Sequence, residues 1–203
     1  YKVPSGKLYP SITSVTSFYN REIFYEWRKR VGDEKANKIT RESTFRGTKY
    51  HDLVEHYLRN EDVNKIDNVL PSTKFLFLSS KANLNRINNI HALEKSLYSD
   101  YFGLAGRVDC IAEYDGELAV IDFKTSTKIK PEEWIENYFV QETAYACMYY
   151  EMTGIPVKKL ITIMVAENGE CIVYEKRNKD HYIKLLTRYI KKFVEHKTRD
   201  YGN

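Results

Sequence analysis

The sequence predicts an α/β (α+β) fold in which helices flank a central mixed β-sheet. Three observations lead to this prediction. The first third of the chain is helical in pattern, five short strand-like segments follow it, and helical segments both interrupt and follow those strands. Chains with this order of elements build a layered sheet covered by helices. The 203 residues fit one domain with a sizeable core, with a mainly helical part at 1–89 and an α/β core at 90–203.

The helices of the first third follow a turn at Tyr9–Pro10. The stretches SITSVTSFY and REIFYEWRKRV are helical in pattern, and a longer helical stretch begins at Asp33. The polar stretch NEDVNKIDNVLPS then predicts a loop, because it has no apolar periodicity. We therefore predict helices at about 11–19, 21–31, 33–59 and 73–88, with a loop at 60–72.

The pattern changes to short strands from Ile90 onwards. A helix interrupts them: Pro131 suits its first turn, and Gly154 and Pro156 suit its end. Asp-Gly and Asn-Gly dipeptides are strong signals for hairpin turns, and the chain has one of each between strand-like segments. We predict strands at 90–98, 105–114, 117–124, 158–166 and 170–176, with helices at 131–152 and 179–196.

Composition excludes several classes of protein. Hydrophobic residues make up 42% of the chain and charged residues 30%, which is ordinary for a globular protein and argues against disorder. No apolar stretch approaches the roughly 18 residues that a membrane-spanning helix needs. The net charge of +4 permits an anionic partner without requiring one. The three cysteines are far apart and form no CxxC motif, so neither a disulfide framework nor a zinc site is predicted.

The segment GRVDCIAEYDGELAVIDFKTS carries acidic residues inside two strand-like runs. If Asp115–Gly116 is a two-residue turn, cross-strand partners have numbers that sum to 231, and Asp109 then lies opposite Asp122. Their Cβ atoms are expected about 5 Å apart on one face of the sheet. Lys124 shares that face, because it follows Asp122 by two residues.

Two opposed carboxylates need a cation between them, because like charges destabilise a sheet. Two interpretations remain open at this point. Lys124 and Arg107 can form a structural salt-bridge cluster with the aspartates. Alternatively, the aspartates hold a hard divalent cation such as Mg²⁺, for which the Phe123 carbonyl is a natural further ligand.

Two helical segments add candidates for the same site. RGTKYHDLVEHYL places His51 at the edge of an apolar helical stripe, where a lone histidine is more often a boundary residue than a ligand. VQETAYACMYY places Gln141 and Tyr145 one helical turn apart, which alone indicates a polar helix edge packing on the sheet. Neither segment establishes a site without the hairpin.

Taken together, these segments resemble the PD-(D/E)XK nuclease superfamily, and within it the RecB-like exonucleases. The phrase GRVDCIAEYDGELAVIDFKTS is especially similar to the mitochondrial genome maintenance exonuclease group and its phage-encoded relatives. The resemblance extends from about Tyr9 to the last helix. It rests on four ordered motifs: GTKYH with His51, GRVD with Asp109, IDFKTS with Asp122 and Lys124, and QETAY with Gln141 and Tyr145.

The resemblance implies a restriction-endonuclease-like core and a single nuclease domain over 1–203. Residues 1–89 would form a helical arch for DNA, and residues 90–203 the catalytic core. The implied activity is a DNA exonuclease that depends on one or two Mg²⁺ or Mn²⁺ ions and prefers single strands with free ends. A catalytically silent DNA-binding module and a structure-specific endonuclease are the alternatives. We expect a monomer, no membrane partner, and a phage-encoded protein in a bacterial cytoplasm rather than the mitochondrial matrix.

The resemblance also implies roles for particular residues. Relatives sometimes use an upstream glutamate, and Glu94 is either that residue or a solvated strand position, the interpretation that we favour. The expected catalytic residues are Asp109, Asp122 and Lys124. The expected metal ligands are His51, Asp109, Asp122 and the backbone carbonyl of Phe123. The expected DNA-binding or supporting residues are Gln141, Tyr145, Arg46, Lys49 and Arg107, of which Arg46 and Lys49 are candidates for phosphate contacts.

Overall fold

The computed structural model describes residues 1–177 and 179–200. Within them, six α-helices and five β-strands follow one another in the predicted order: four helices, three strands, a helix, two strands and a last helix. Two short 3-10 turns, at Val63–Lys65 and Glu132–Trp134, precede α4 and α5. The helices are α1 Ile12–Tyr19, α2 Arg21–Val31, α3 Asp33–Leu58, α4 Pro71–Leu84, α5 Glu136–Thr153 and α6 Lys179–Asp200. The strands are β1 Ile87–Ser99, β2 Leu104–Tyr114, β3 Glu117–Ser126, β4 Lys159–Ala166 and β5 Cys171–Lys176.

The five strands form one mixed sheet in the order β1-β2-β3-β4-β5. The pairs β1/β2, β2/β3 and β4/β5 are antiparallel, and β3/β4 is parallel. A parallel pair needs a crossover connection, and α5 provides it. The predicted fold class, a mixed sheet flanked by helices, is confirmed.

Helices cover both faces of the sheet and bury two apolar clusters. On one face, α1, α5 and α6 pack over a cluster that includes Val120, Tyr145 and Leu186. On the other, α3 and α4 pack over a cluster that includes Tyr50 and Phe123. The C-terminal half of α3 is therefore part of the core, whereas its N-terminal half and all of α2 are mostly exposed, because α2 buries none of its residues.

The β2–β3 hairpin has the predicted turn and register. Asp115 and Gly116 have φ values of +53° and +79°, the left-handed pair that a type I′ turn requires. Paired residues sum to 231 from Tyr114↔Glu117 to Cys110↔Ile121, which confirms the register. The ladder ends there, so Asp109 and Asp122 are the first residues beyond it. The prediction that these two aspartates form a cross-strand pair is therefore wrong, although the register that led to it is correct.

The backbone is irregular near the point where β2 and β3 separate. The β1–β2 register shifts between Asn88 and Ala92, and Glu94 has a left-handed φ of +48°. Val108 and Ile111 pack in the same apolar cluster although regular alternation would place them on opposite faces. The alternation of β2 thus changes phase near Asp109, and β2 diverges from β3 at that residue. We call this point, between Asp109 and Asp122, the fork.

Several predicted helix boundaries differ from the structure; the last helix, for example, continues to Asp200 rather than ending at about residue 196. The fourth helix ends at Leu84, not at about residue 88, because the chain enters β1 at Ile87. Pro131 does not open α5; it precedes a 3-10 turn, and the helix begins at Glu136. Between them, fully buried Ile135 has a non-helical φ of −117°, so the chain interrupts the helix to place this side chain in the core.

Cys110, Cys147 and Cys171 are free thiols, in agreement with the sequence analysis. Among the described residues, no helix combines the length and the apolar character that crossing a membrane demands.

Candidate active site

A cleft of about 370 Å³ opens where the strands separate, between α3, α5 and the beginning of α1. The sequence prediction and the structure agree on much of its lining. Six predicted residues line it: His51, Arg107, Asp109, Lys124, Gln141 and Tyr145. Thr13 of α1 and Glu94 of β1 also line it, and the sequence analysis did not assign either of them to the site.

Asp109 uses its carboxylate to join the separating strands. Its Oδ2 accepts a hydrogen bond of 2.9 Å from the backbone N–H of Phe123, a donor that the ladder no longer pairs. Its Oδ1 lies 3.7 Å from Nδ1 of His51. The side chain is 13% exposed. Its Oδ2 is held by the Phe123 backbone, and its Oδ1 faces the cleft.

His51 is fixed by the backbone of β3. Its Nε2 lies 2.9 Å from the Phe123 carbonyl oxygen, which can only accept, so Nε2 is the donor. Nδ1 therefore points to Asp109 and to Glu94, whose Oε1 is 3.9 Å away. Burial lowers the pKa of His51, but the two carboxylates raise it more, to about 8. The Phe123 carbonyl, expected to be a metal ligand, here orients the imidazole.

Glu94 belongs to the site, and our expectation of a solvated strand position is wrong. Its side chain is 13% exposed, and its carboxylate pairs with Arg107 at 2.9 Å. Its left-handed backbone turns the side chain towards the fork. One ligand atom each of His51, Glu94 and Asp109 lie within 4.8 Å of one another, a spacing at which they could hold a metal ion. We call these three residues the acidic cluster.

Asp122 and Lys124 form an ion pair beside the acidic cluster. Asp122 is almost fully buried, and Nε2 of Gln141 donates to its Oδ1 at 3.4 Å. Burial raises the pKa of Asp122 to about 6, although the charge of Lys124 opposes this shift. Burial lowers the pKa of Lys124, but the charges of Asp122 and Asp109 outweigh it and raise that pKa, so the ammonium stays protonated.

The two aspartates thus have different neighbours. Asp109 contacts His51 of α3, whereas Asp122 contacts Gln141 of α5. Asp122 is not a member of the acidic cluster, and its two oxygens are engaged by Lys124 and Gln141. The open interpretations both have a counterpart in the structure: Lys124 pairs with Asp122, and the acidic cluster has the donor atoms of a cation site.

Arg46 and Lys49 do not reach the cleft. Arg46 forms an ion pair with Glu167 and is 15% exposed. Nζ of Lys49 lies 3.6 Å from Asp52 on its own helix. Positions 46 and 51 are about 140° apart around a helix with 3.6 residues per turn, and positions 49 and 51 are about 160° apart. A helix that aims His51 into the cleft must therefore aim these two cations elsewhere.

The sequence analysis also missed Glu142, the residue after Gln141. It is completely buried, its Oε1 accepts a hydrogen bond from Thr162 of β4, and its Oε2 has no hydrogen-bond partner among the described residues. Burial and the charge of Asp122 raise its pKa well above the usual range. The available signal was that Glu142 lies just before the apolar run AYACMYY, on a helix that packs on the sheet. A buried carboxyl group is costly unless it is paired or neutral.

Tyr145 approaches the sheet at a glycine. A Cβ atom at Gly106 would lie 2.9 Å from both Cε1 and Oη of Tyr145, and 3.1 Å from Cγ2 of Ile12. No side chain fits in that space, so glycine permits α1 and α5 to meet β2 here. The position comes three residues before Asp109 on the same strand.

Comparisons with known proteins agree with this geometry. The human mitochondrial genome maintenance exonuclease 1 is 29% identical over 154 residues, which cover 70% of this chain and 42% of that protein. The Xenopus tropicalis protein of the same name is 31% identical over 130 residues, covering 60% of this chain and 37% of the relative. The mouse protein is 29% identical over 130 residues, covering 60% and 38%. The chain thus spans less than half the length of these curated relatives.

A family model extends over nearly the whole chain. It matches residues 22–199, and its description is the PD-(D/E)XK nuclease superfamily. The match includes the fork, the acidic cluster, the Asp122–Lys124 pair and Gln141. From its sheet, its site residues and this match, we conclude that the chain belongs to the PD-(D/E)XK nuclease superfamily.

Proposed function

We propose that this chain is a metal-dependent nuclease that hydrolyses phosphodiester bonds of DNA, with exonuclease action on single strands that have free ends. One observation carries the proposal. At the fork, the acidic cluster lies next to the Asp122–Lys124 pair, so acidic ligands and a fixed cation meet in one open cleft. The relatives that carry the word exonuclease in their names support the mode of attack.

The donor set of the acidic cluster fits a divalent cation. Asp109 and Glu94 supply carboxylate oxygens, which Mg²⁺ and Mn²⁺ both accept, and the imidazole of His51 is better suited to Mn²⁺. Nδ1 of His51 faces both carboxylates while Nε2 is held by the backbone, so the ring is oriented in the way that metal-ligating histidines usually are. We propose Asp109, Glu94 and His51 as ligands; Asp122, which is paired with Lys124 beside them, would serve as a further ligand only after giving up that ion pair.

When bound, such an ion supplies charge stabilisation for a phosphoryl group and acidifies water. The chain contributes the remaining parts. Lys124 is held as a cation by Asp122, so it is suited to contact a phosphate oxygen and to stabilise negative charge that develops there. A protonated ammonium is no general base. Gln141 orients Asp122, and Arg107, which is 63% exposed, is available at the mouth of the cleft for a phosphate.

The helical part supports a single-stranded substrate. Thr48 of α3 lines the cleft, and Thr44 and Arg41 follow it at helical spacing towards the N-terminal end of the helix. All three are exposed. This stripe of residues extends from the cleft away from the sheet. A single strand that enters the cleft would follow such a path. We propose Arg41 as a phosphate contact in place of Arg46 and Lys49.

End-labelled oligonucleotides test the proposal. We expect products from linear single-stranded DNA with Mg²⁺ or Mn²⁺, fewer from duplex DNA, and none after EDTA. Covalently closed single-stranded circles should remain intact, because an exonuclease needs an end. Lys124→Ala should abolish cleavage, whereas Lys158→Ala, which removes an exposed lysine before β4, should not.

The alternatives give different results in the same assay. A catalytically silent DNA-binding module would bind the oligonucleotide and release no product with either metal. An endonuclease would linearise the circles. Cleavage by Lys124→Ala at the rate of the parent protein would contradict the assignment of the site.

A further inference from the structure

A second, smaller cleft lies at the other end of α1 from the active site. Its volume is about 250 Å³, and α1, the start of α2 and the C-terminal half of α6 enclose it. The residues that matter for its chemistry are Phe18, Tyr19, Arg21, Lys192 and Arg199. The activity proposed above assigns no role to this cleft.

The cleft is built to hold cations at fixed places on an aromatic wall. The guanidinium of Arg21 lies 3.7 Å from the centre of the Phe18 ring, and its Nη1 donates to the Phe18 carbonyl at 3.0 Å. Nζ of Lys192 lies 4.8 Å from the centre of the Tyr19 ring. Tyr19 in turn stacks on Tyr189 of α6 at 3.7 Å. Cations that are oriented in this way lose less side-chain entropy when they bind an anion.

The charge balance favours an anionic occupant. The α6 sequence contains seven Lys and Arg residues against three Asp and Glu residues. At the cleft, two acidic side chains also occur, Glu22 and Glu195. Glu22 is 86% exposed and 3.8 Å from Arg21, a surface pair that contributes little. Arg21, Lys192 and Arg199 therefore outnumber the two carboxylates, and two of these cations, Arg21 and Lys192, are held against the aromatic wall.

The position relative to the active site indicates which anion. Thr13 lines the active-site cleft and Tyr19 lines the second cleft. Six residues of α-helix span about 9 Å along the axis, at about 1.5 Å per residue, and the two positions are about 120° apart around it. A strand that contacts both clefts therefore passes partly around α1 and covers more than 9 Å, which at about 3.4 Å per stacked nucleotide takes at least two or three nucleotides.

We propose that the cleft between α1, α2 and α6 is a phosphate-binding subsite for a single DNA strand, at least two or three nucleotides from the bond that is cleaved. This inference rests on the proposed nuclease function and extends it, because it assigns the chain a second anchor on the substrate. Arg21, Lys192 and Arg199 bind the phosphate, and Phe18 and Tyr19 keep the first two of these cations in place.

The test compares substrates of two lengths. The variant is Lys192→Gln combined with Arg199→Gln, with Lys65→Gln combined with Lys158→Gln as the matched control for loss of two exposed surface charges. The short substrate is the p-nitrophenyl ester of thymidine 5′-monophosphate, whose single phosphodiester cannot reach both clefts. The long substrate is a single-stranded oligonucleotide. We expect kcat/KM on the oligonucleotide to fall about tenfold more than on the ester, mainly through KM.

DNA binding in EDTA gives a second readout that does not need cleavage. The log–log slope of affinity against salt should decrease by about 0.7 for each phosphate of a single strand that the variant no longer binds, and not at all in the control. Equal losses on both substrates, or no loss on either, overturn the subsite. If the parent protein cleaves neither substrate, the proposed nuclease function is refuted. The salt dependence of DNA binding then still tests the subsite, and equal slopes for parent and variant overturn it.

Discussion

The carboxylate of Asp109 accepts a hydrogen bond of 2.9 Å from the backbone N–H of Phe123. Asp109 is the first residue of β2 beyond the last pair of the β2–β3 hairpin, Cys110↔Ile121. The same side chain faces His51 with its second oxygen. One residue therefore both satisfies the backbone where the strands separate and supplies an oxygen to the acidic cluster. These two roles can be separated by substitution.

Asp109→Asn should keep the structure and lose the activity, because an amide oxygen still accepts the Phe123 N–H but carries no charge. Asp109→Ala should also lose stability, by about 1–3 kcal/mol, because it leaves a buried donor without a partner. Oligonucleotide cleavage measures the loss of activity, and urea unfolding in EDTA measures the loss of stability. Equal unfolding midpoints for the two variants would show that the hydrogen bond to Phe123 does not stabilise the fork.

Metal addition should stabilise the protein through the acidic cluster. A ligand that binds only the folded state adds about 2.7 kcal/mol to the free energy of unfolding when its free concentration is about a hundred times its Kd. We expect Mn²⁺ to raise the thermal midpoint of the parent protein relative to EDTA, and Glu94→Gln to reduce that increase. Glu113→Gln, on the neighbouring strand but outside the acidic cluster, is the control. An increase of the same size in Glu94→Gln would exclude Glu94 as a ligand.

The sequence could predict those parts of the site that depend on regular geometry. The Asp-Gly turn determines the register of the hairpin, and that register is correct as far as Cys110↔Ile121. Helical spacing likewise places Gln141 and Tyr145 on one edge of a helix, and both line the cleft. Both predictions use only local rules, which the folded chain obeys there.

The remaining features of the site depend on irregular backbone. Glu94 lines the cleft and has a left-handed φ. The rule that side chains alternate along a strand assumes an extended backbone, so it does not apply at this residue. Asp109 and Asp122 lie where the alternation of β2 changes phase, and no pattern within a single strand predicts that change. Arg46 is close to His51 in sequence, but Glu167, 121 residues away, determines where its side chain points.

Gly106 should be intolerant of any side chain. Gly106→Ala would place a Cβ 2.9 Å from the Tyr145 ring, and overpacking of this kind costs about 1–3 kcal/mol. Because Tyr145 lines the cleft, the substitution should also reduce cleavage. Gly47→Ala is the contrasting change: its Cβ would have 3.9 Å to Thr125, and a helical alanine is favoured over glycine by about 1 kcal/mol. Urea midpoints that move in the same direction in both variants would contradict this difference.

Glu142 should make stability depend on pH. Burial and Asp122 raise its pKa in the folded state, so the folded protein retains a proton that the unfolded chain releases near the ordinary value of about 4.5. The free energy of unfolding must then decrease as pH rises from that value through the folded pKa. Glu142→Gln has no proton to release, and its amide oxygen can still accept from Thr162. We therefore expect the variant to gain stability relative to the parent between about pH 5 and pH 8, measured as the difference in urea midpoint. Midpoints that change in parallel over this range would show that the buried acid is ionised in both states.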